Sequence, residues 1–146
     1  MAANTSQLLD SHENVVVLME TSHSEHGDIT TACSAVEILQ RLHRNSPSSL
    51  ETTLLECRAG MEQLLHLLVI SGEEDMGERE PLRNQLLILW EQLTRDSEET
   101  KSYFAYGDGY QHLLHIMQLE GIAERGVVIT DCLTIVRNSI RGSSVA

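Results

Sequence analysis

The stretch GMEQLLHLL at 60–68 returns as GYQHLLHIM at 109–117, 49 residues further along. QRLHRNS at 40–46 likewise returns as EQLTRDS at 91–97, at a spacing of 51, and RNSIRGS at 137–143 is a weaker third copy. Both copies sit among apolar residues at helical spacing, as in Leu82, Leu86, Leu89 and Leu93. A helix with one apolar stripe stays wet on that stripe unless another helix covers it. Repeated stripes are therefore covered by stacking one copy on the next.

The helices between these copies run short, short, long, and that order recurs. A helical unit of about fifty residues is the period of HEAT and armadillo arrays. The short first helix of each triplet favours the armadillo unit over the two-helix HEAT unit. The expected fold is all-α, an armadillo-like right-handed superhelix, or α-solenoid, of about eight helices.

Local punctuation sets the boundaries. MAANTSQ at 1–7 is polar and is expected to be disordered. Residues 8–45 read as a partial repeat of two helices. The first lies within Leu8 to Met19; the second is capped by Asp28 and carries Ile29, Ala32, Cys33, Val36, Leu39 and Leu42. Ser46 followed by Pro47 restarts the chain, with proline at a first helical position. Residues 46–95 form one repeat, interrupted by an acidic loop, SGEEDMGERE at 71–80, and residues 96–141 form the next. A tail at 142–146 remains. The array begins in mid-repeat and shows no polar capping helix, so its apolar ends are expected to meet a longer chain or partners.

Charge narrows the function. With 22 acidic against 10 basic residues, the formal charge is −12. Such a surface repels phosphate backbones and anionic lipid, so no nucleic acid is expected as a partner, and membrane association is expected only through other proteins. The cysteines, Cys33, Cys57 and Cys132, are far apart in apolar or helical stretches, as for reduced thiols in a cytoplasmic protein. The longest apolar runs, VVVLM at 15–19 and LLILW at 86–90, are too short to span a bilayer.

Candidate chemistry is sparse. His112 and His115 lie three apart on one helix and His66 is the repeat equivalent of His115, but no carboxylate of suitable spacing joins them, so half-buried structural roles are expected. The acidic loop lacks the alternating ligands of a calcium site. No nucleophile elbow, phosphate loop or zinc-protease signature is present. We expect no catalytic residue, cofactor or metal. Trp90 invites comparison with nuclear-import adaptors, whose groove sets a Trp four residues before an Asn. The equivalent pairs here, Glu37/Arg41, Ile88/Gln92 and Thr134/Asn138, carry no tryptophan, so Trp90 is expected in the core. The long third helices of armadillo arrays line a concave surface. Their polar positions, Glu37, Arg41, Arg44, Glu91, Gln92, Arg137 and Asn138, are the candidate protein-binding residues, weighed against an ordinary solvated face.

A resemblance to a known family covers roughly residues 10–142, is carried by the stretch from Pro81 to Gly142, and is most specific at 126–138. Arg83-Asn84, Leu93-Thr94-Arg95, Ala105, Leu113-Leu114, Gly126-Val127-Val128, Asp131-Cys132-Leu133 and Asn138 match, in order, the pattern of the general vesicular transport factor family. ENVVVLME at 13–20 resembles an earlier segment of the same head. Members of that family are Golgi vesicle tethers with an armadillo-like head and a long coiled-coil tail. Gln85 stands where the family has an acid, Ser139 replaces a leucine, and the acidic loop is longer than its counterpart.

The resemblance implies a non-catalytic, protein-binding head segment in ER–Golgi or intra-Golgi transport, peripheral at Golgi membranes. Its implied partners are a Rab-class GTPase, tethering-complex subunits or vesicle-fusion machinery, with a homodimer left open. The alternative is an armadillo-type scaffold or dimerisation segment unrelated to membrane traffic.

Overall fold

Helix boundaries fall where turn chemistry demands them. The computed structural model describes residues 29–56, 60–71, 80–121 and 126–141, and among these residues there are seven helices and no strand. They are α1 (Ile29–Asn45), α2 (Pro47–Glu56), α3 (Gly60–Ser71), α4 (Glu80–Asp96), α5 (Glu98–Tyr106), α6 (Gly109–Glu120) and α7 (Val127–Ile140). Pro47 opens α2, where its missing N–H costs nothing, and the Ser46 carbonyl accepts from Leu50 N at 3.1 Å. Ser97 caps α5: its hydroxyl accepts from Thr100 N at 3.2 Å, with Glu98 and Glu99 in the positive first turn. The helix expected between Leu8 and Met19, the Asp28 cap and the tail lie outside the described residues. So does the acidic loop, except that its first and last residues, Ser71 and Glu80, belong to helices.

The lengths reproduce the short, short, long order: 10, 12 and 17 residues for α2 to α4, then 9, 12 and 14 for α5 to α7. The long helix α4 packs most extensively, with α7 on one side and α1 on the other. The three long helices thus form one row, and α3 and α6 meet in a second. This is the armadillo-like α-solenoid expected from the repeats.

The core is aliphatic. Leu82, Leu86, Leu89 and Leu93, the expected stripe of α4, are all buried, as are Ala32, Val36, Leu39 and Leu42 on α1, while Cys33 is half-buried. Each fully buried leucine contributes about 1.5–3 kcal/mol relative to an exposed one. Trp90 is fully buried, as expected, with its ring centroid 4.8 Å from that of Phe104, which in turn meets Tyr110 edge-on at 5.1 Å. Glycine makes this cluster possible. A Cβ on Gly109 would lie 2.4 Å from the Phe104 ring, so a side chain there would drive α6 away from α5. The preceding residue, Asp108, turns the chain at φ 61°, a left-handed conformation that Asp tolerates better than most residues.

Polar side chains tie the row of long helices together. Gln40 on α1 donates its amide to the Gln85 carbonyl (2.9 Å) and to Gln85 Oε1 (2.7 Å) on α4. From the other side, Asn138 on α7 donates to the Glu91 carbonyl at 3.0 Å. Lys101, buried at the start of α5, donates to the Arg141 carbonyl (2.9 Å) and to Glu98 Oε1 (3.0 Å), thereby closing the C-terminus of α7.

Candidate protein-binding site

Two surfaces carry exposed side chains in an arrangement suited to a partner. The first is the face of the long helices. Glu37, Arg41 and Arg44 are exposed at i, i+4 and i+7 along α1, which places them on one side of that helix. On α4, Glu91 and Gln92 are half-buried, and Glu91 pairs with Arg95 at 3.4 Å. On α7, Arg137 is exposed but Asn138 is buried, its amide engaged by α4. Asn138 is therefore a seam residue, whereas the three α1 residues and Arg137 point to solvent.

Sequence reasoning passed over Asp131 on this face. Its carboxyl is pushed above the usual carboxylate value, first by partial burial and then by the charge of Glu91. The charge of Glu91 on α4 thus reaches Asp131 on α7, a proximity that the residue types alone do not show.

A partly buried ion pair links α4 to α6. The Arg83 guanidinium, 7% exposed, meets Glu120 Oε1 on α6 at 2.9 Å and also donates to Asn84 Oδ1. Nearby, the Cys132 thiol is pushed up to about 12, by burial first and then by the Asp131 charge, with Arg83 opposing. A thiol held neutral in this way is a packing group and a poor nucleophile. Among the described residues no three His, Cys, Asp or Glu side chains converge to hold a metal. His66 and His115, expected to be half-buried, are exposed, while His112 is half-buried.

The second surface is an open cleft of about 780 Å³ between α3 and α5. Glu62, Leu65, His66, Val69, Tyr103 and Tyr106 line it. Gly107 sets its width, because a Cβ there would lie 2.2 Å from Leu65 Cδ2. Tyr106 stands 90% exposed at the rim, an unusual position for a large aromatic ring. The phenol of Tyr103 is shifted upward by burial and by the charge of Glu62, which places that carboxylate within electrostatic reach of the ring. Nothing in the repeat pattern marked this cleft, since it depends on how closely two helices from adjacent triplets approach. Among the described residues no helix is long and apolar enough to cross a membrane.

No family model matches the chain. Individual proteins do. Golgin candidate 6 of Arabidopsis thaliana is 28% identical over 130 residues, covering 89% of this chain and 13% of that protein. General vesicular transport factor p115 of Homo sapiens is 26% identical over 140 residues, covering 96% of this chain and 14% of its own length. The chain therefore spans about one seventh of the curated relatives it matches. In fold, it superimposes on the crystal structure of Uso1-1 with a TM-score of 0.80 at 20% identity, over 93% of this chain and 20% of that one. The likeness in sequence runs nearly end to end, and the helices follow the Uso1 arrangement: the chain is similar in sequence and fold to the vesicle-transport proteins p115 and Uso1.

Proposed function

We propose that the chain is a non-catalytic protein-binding segment of a vesicle-tethering factor, acting in ER–Golgi or intra-Golgi transport. It docks transport vesicles through contacts with a Rab-class GTPase, tethering-complex subunits or vesicle-fusion machinery, and sits peripherally at Golgi membranes through those partners. The observation that carries this reading is the likeness to p115 over 96% of the chain. The exposed charges of α1 and Arg137 on the long-helix face are the contact residues of this reading, alongside Glu91, Gln92 and Asn138 at the seam. Affinity capture with purified Rab-class GTPases, loaded with a non-hydrolysable GTP analogue or with GDP, tests it. Selective retention of a GTP-loaded member, weakened by Arg41→Glu, is expected; equal retention of both loaded forms counts against it.

A second reading, a dimerisation or scaffold segment, is favoured by Leu133 and Ile140. Seven residues apart on α7, they stand 53% and 73% exposed and form a one-sided apolar stripe. Sedimentation of the chain separates the two. A dimer that dissociates on Leu133→Glu, with no GTPase retained, favours the scaffold.

A further inference from the structure

The α3–α5 cleft combines features that suit one kind of side chain. Its rim carries two phenol rings, Tyr103 half-buried and Tyr106 almost wholly exposed, and its floor is aliphatic at Leu65 and Val69. Among the described residues lining it, Glu62 holds the one carboxylate, and no lysine or arginine is present. A planar cation on an aliphatic stem matches this set: the stem lies on Leu65 and Val69, the charge faces Glu62, and the flat head stacks on a phenol face. Ammonium groups match less well, because a strongly hydrated point charge stacks poorly. The chain's net charge of −12 adds a long-range field that draws in a basic partner.

We propose that this cleft is a docking site for an arginine-bearing segment of a partner protein, with the guanidinium held between Glu62 and the tyrosine rings. This deepens the protein-binding reading by giving the partner a chemistry and a place on the fold. The site lies between α3 and α5, away from the long-helix face, so one molecule can use both surfaces at once.

The test uses the isotope-labelled full chain and a weakly binding probe, the capped peptide acetyl-Ala-Leu-Arg-Leu-Ala-amide, titrated by NMR at 150 mM salt. Peptides with citrulline or lysine in place of arginine serve as comparisons. Amide shifts are expected at Leu65, His66, Tyr103 and Gly107. Tyr106→Ala and Glu62→Gln, both at exposed positions, are each expected to weaken binding roughly fivefold without disturbing the rest of the spectrum. Citrulline is expected to weaken it by a similar factor, and lysine by roughly half as much. Glu37→Gln, on the long-helix face, is expected to leave binding unchanged. Shifts centred on α1, equal binding by the citrulline peptide, or full affinity in both cleft variants would each overturn the proposal. The outcome is independent of membrane traffic: a chain that binds the peptide but retains no GTPase loses the tethering reading and keeps the cleft.

Discussion

Asn138 on α7 donates its side-chain amide to the main-chain carbonyl of Glu91 on α4, at 3.0 Å. The same nitrogen lies 3.5 Å from Thr94 Oγ1, whose own hydroxyl donates back to the Trp90 carbonyl at 2.7 Å. One buried amide thus fixes the register of two long helices that apolar packing alone would allow to slide.

Replacing that amide exposes its contribution. Asn138→Ala is expected to lower stability by about 1–2 kcal/mol, because the hydrogen bond is lost and a small cavity opens. Asn138→Asp is expected to cost more, since a carboxylate oxygen would face the Glu91 carbonyl in place of a donor. Urea unfolding followed by circular dichroism checks both. An Asp variant as stable as wild type would mean the seam does not depend on a donor at that position.

Gly109 is held by space. Gly109→Ala inserts a methyl group 2.4 Å from the Phe104 ring, which is fully buried between Trp90 and Tyr110. Overpacking of this kind costs about 1–3 kcal/mol. The Trp90 fluorescence maximum is expected to shift to the red in the native state as the cluster loosens; an unchanged spectrum and unchanged melting would contradict the packing described.

How much of this was legible beforehand differs by type of residue. Leu86 and Leu93 announce their burial through spacing, whereas Asp96 and Ser97 are equally good caps in the sequence and only the structure assigns the cap to Ser97. Trp90 reads as a core residue because its long-helix position lacks the Trp–Asn pairing of a peptide groove. Asn138 and Gln40 were not legible as seam residues, because a polar side chain on a long helix looks solvated until the neighbouring helix is placed. The influence of the Glu91 charge on Asp131 is hidden for the same reason. Arg83 stands out in the sequence only as part of a family pattern; its ion pair depends on Glu120 arriving from α6. The cleft escaped notice because Tyr103, Tyr106 and Glu62 belong to different triplets, and only the close approach allowed by Gly107 brings them to one surface.

Cys132 gives the fold a pH dependence. Its thiol is raised from an ordinary 9.0 to about 12, so between those values the native state keeps a proton that the unfolded chain releases. Stability from this group is fully present below about pH 9 and is lost as the pH rises toward 12. Cys132→Ala is expected to flatten the alkaline limb of the stability profile, measured by urea midpoint from pH 8 to 11. In the native protein at pH 8, iodoacetamide is expected to leave Cys132 unmodified, as peptide mass spectrometry would register. Rapid native labelling there would contradict its burial.

Arg83 and Glu120 form the ion pair that links α4 to α6, at 2.9 Å with side-chain exposures of 9% and 32%. Removing the acid leaves a largely buried guanidinium with weaker compensation. Because Glu120 is partly solvated, Glu120→Ala is expected to cost about 1–2 kcal/mol, well short of a fully buried pair. Arg83→Met is expected to cost less than Glu120→Ala, since it removes the buried charge and keeps the packing. A reversed order in thermal unfolding would mean that the arginine stabilises through contacts other than Glu120.

The most direct test of the proposed tethering role is cargo transport in cells depleted of this protein. The readout is the half-time for a secretory glycoprotein to acquire Golgi-type glycans after release from the ER. The half-time is expected to lengthen at least severalfold and to be restored by the wild-type protein but not by one lacking residues 29–141. Normal transport kinetics under complete depletion, or full rescue by the deleted form, would contradict it.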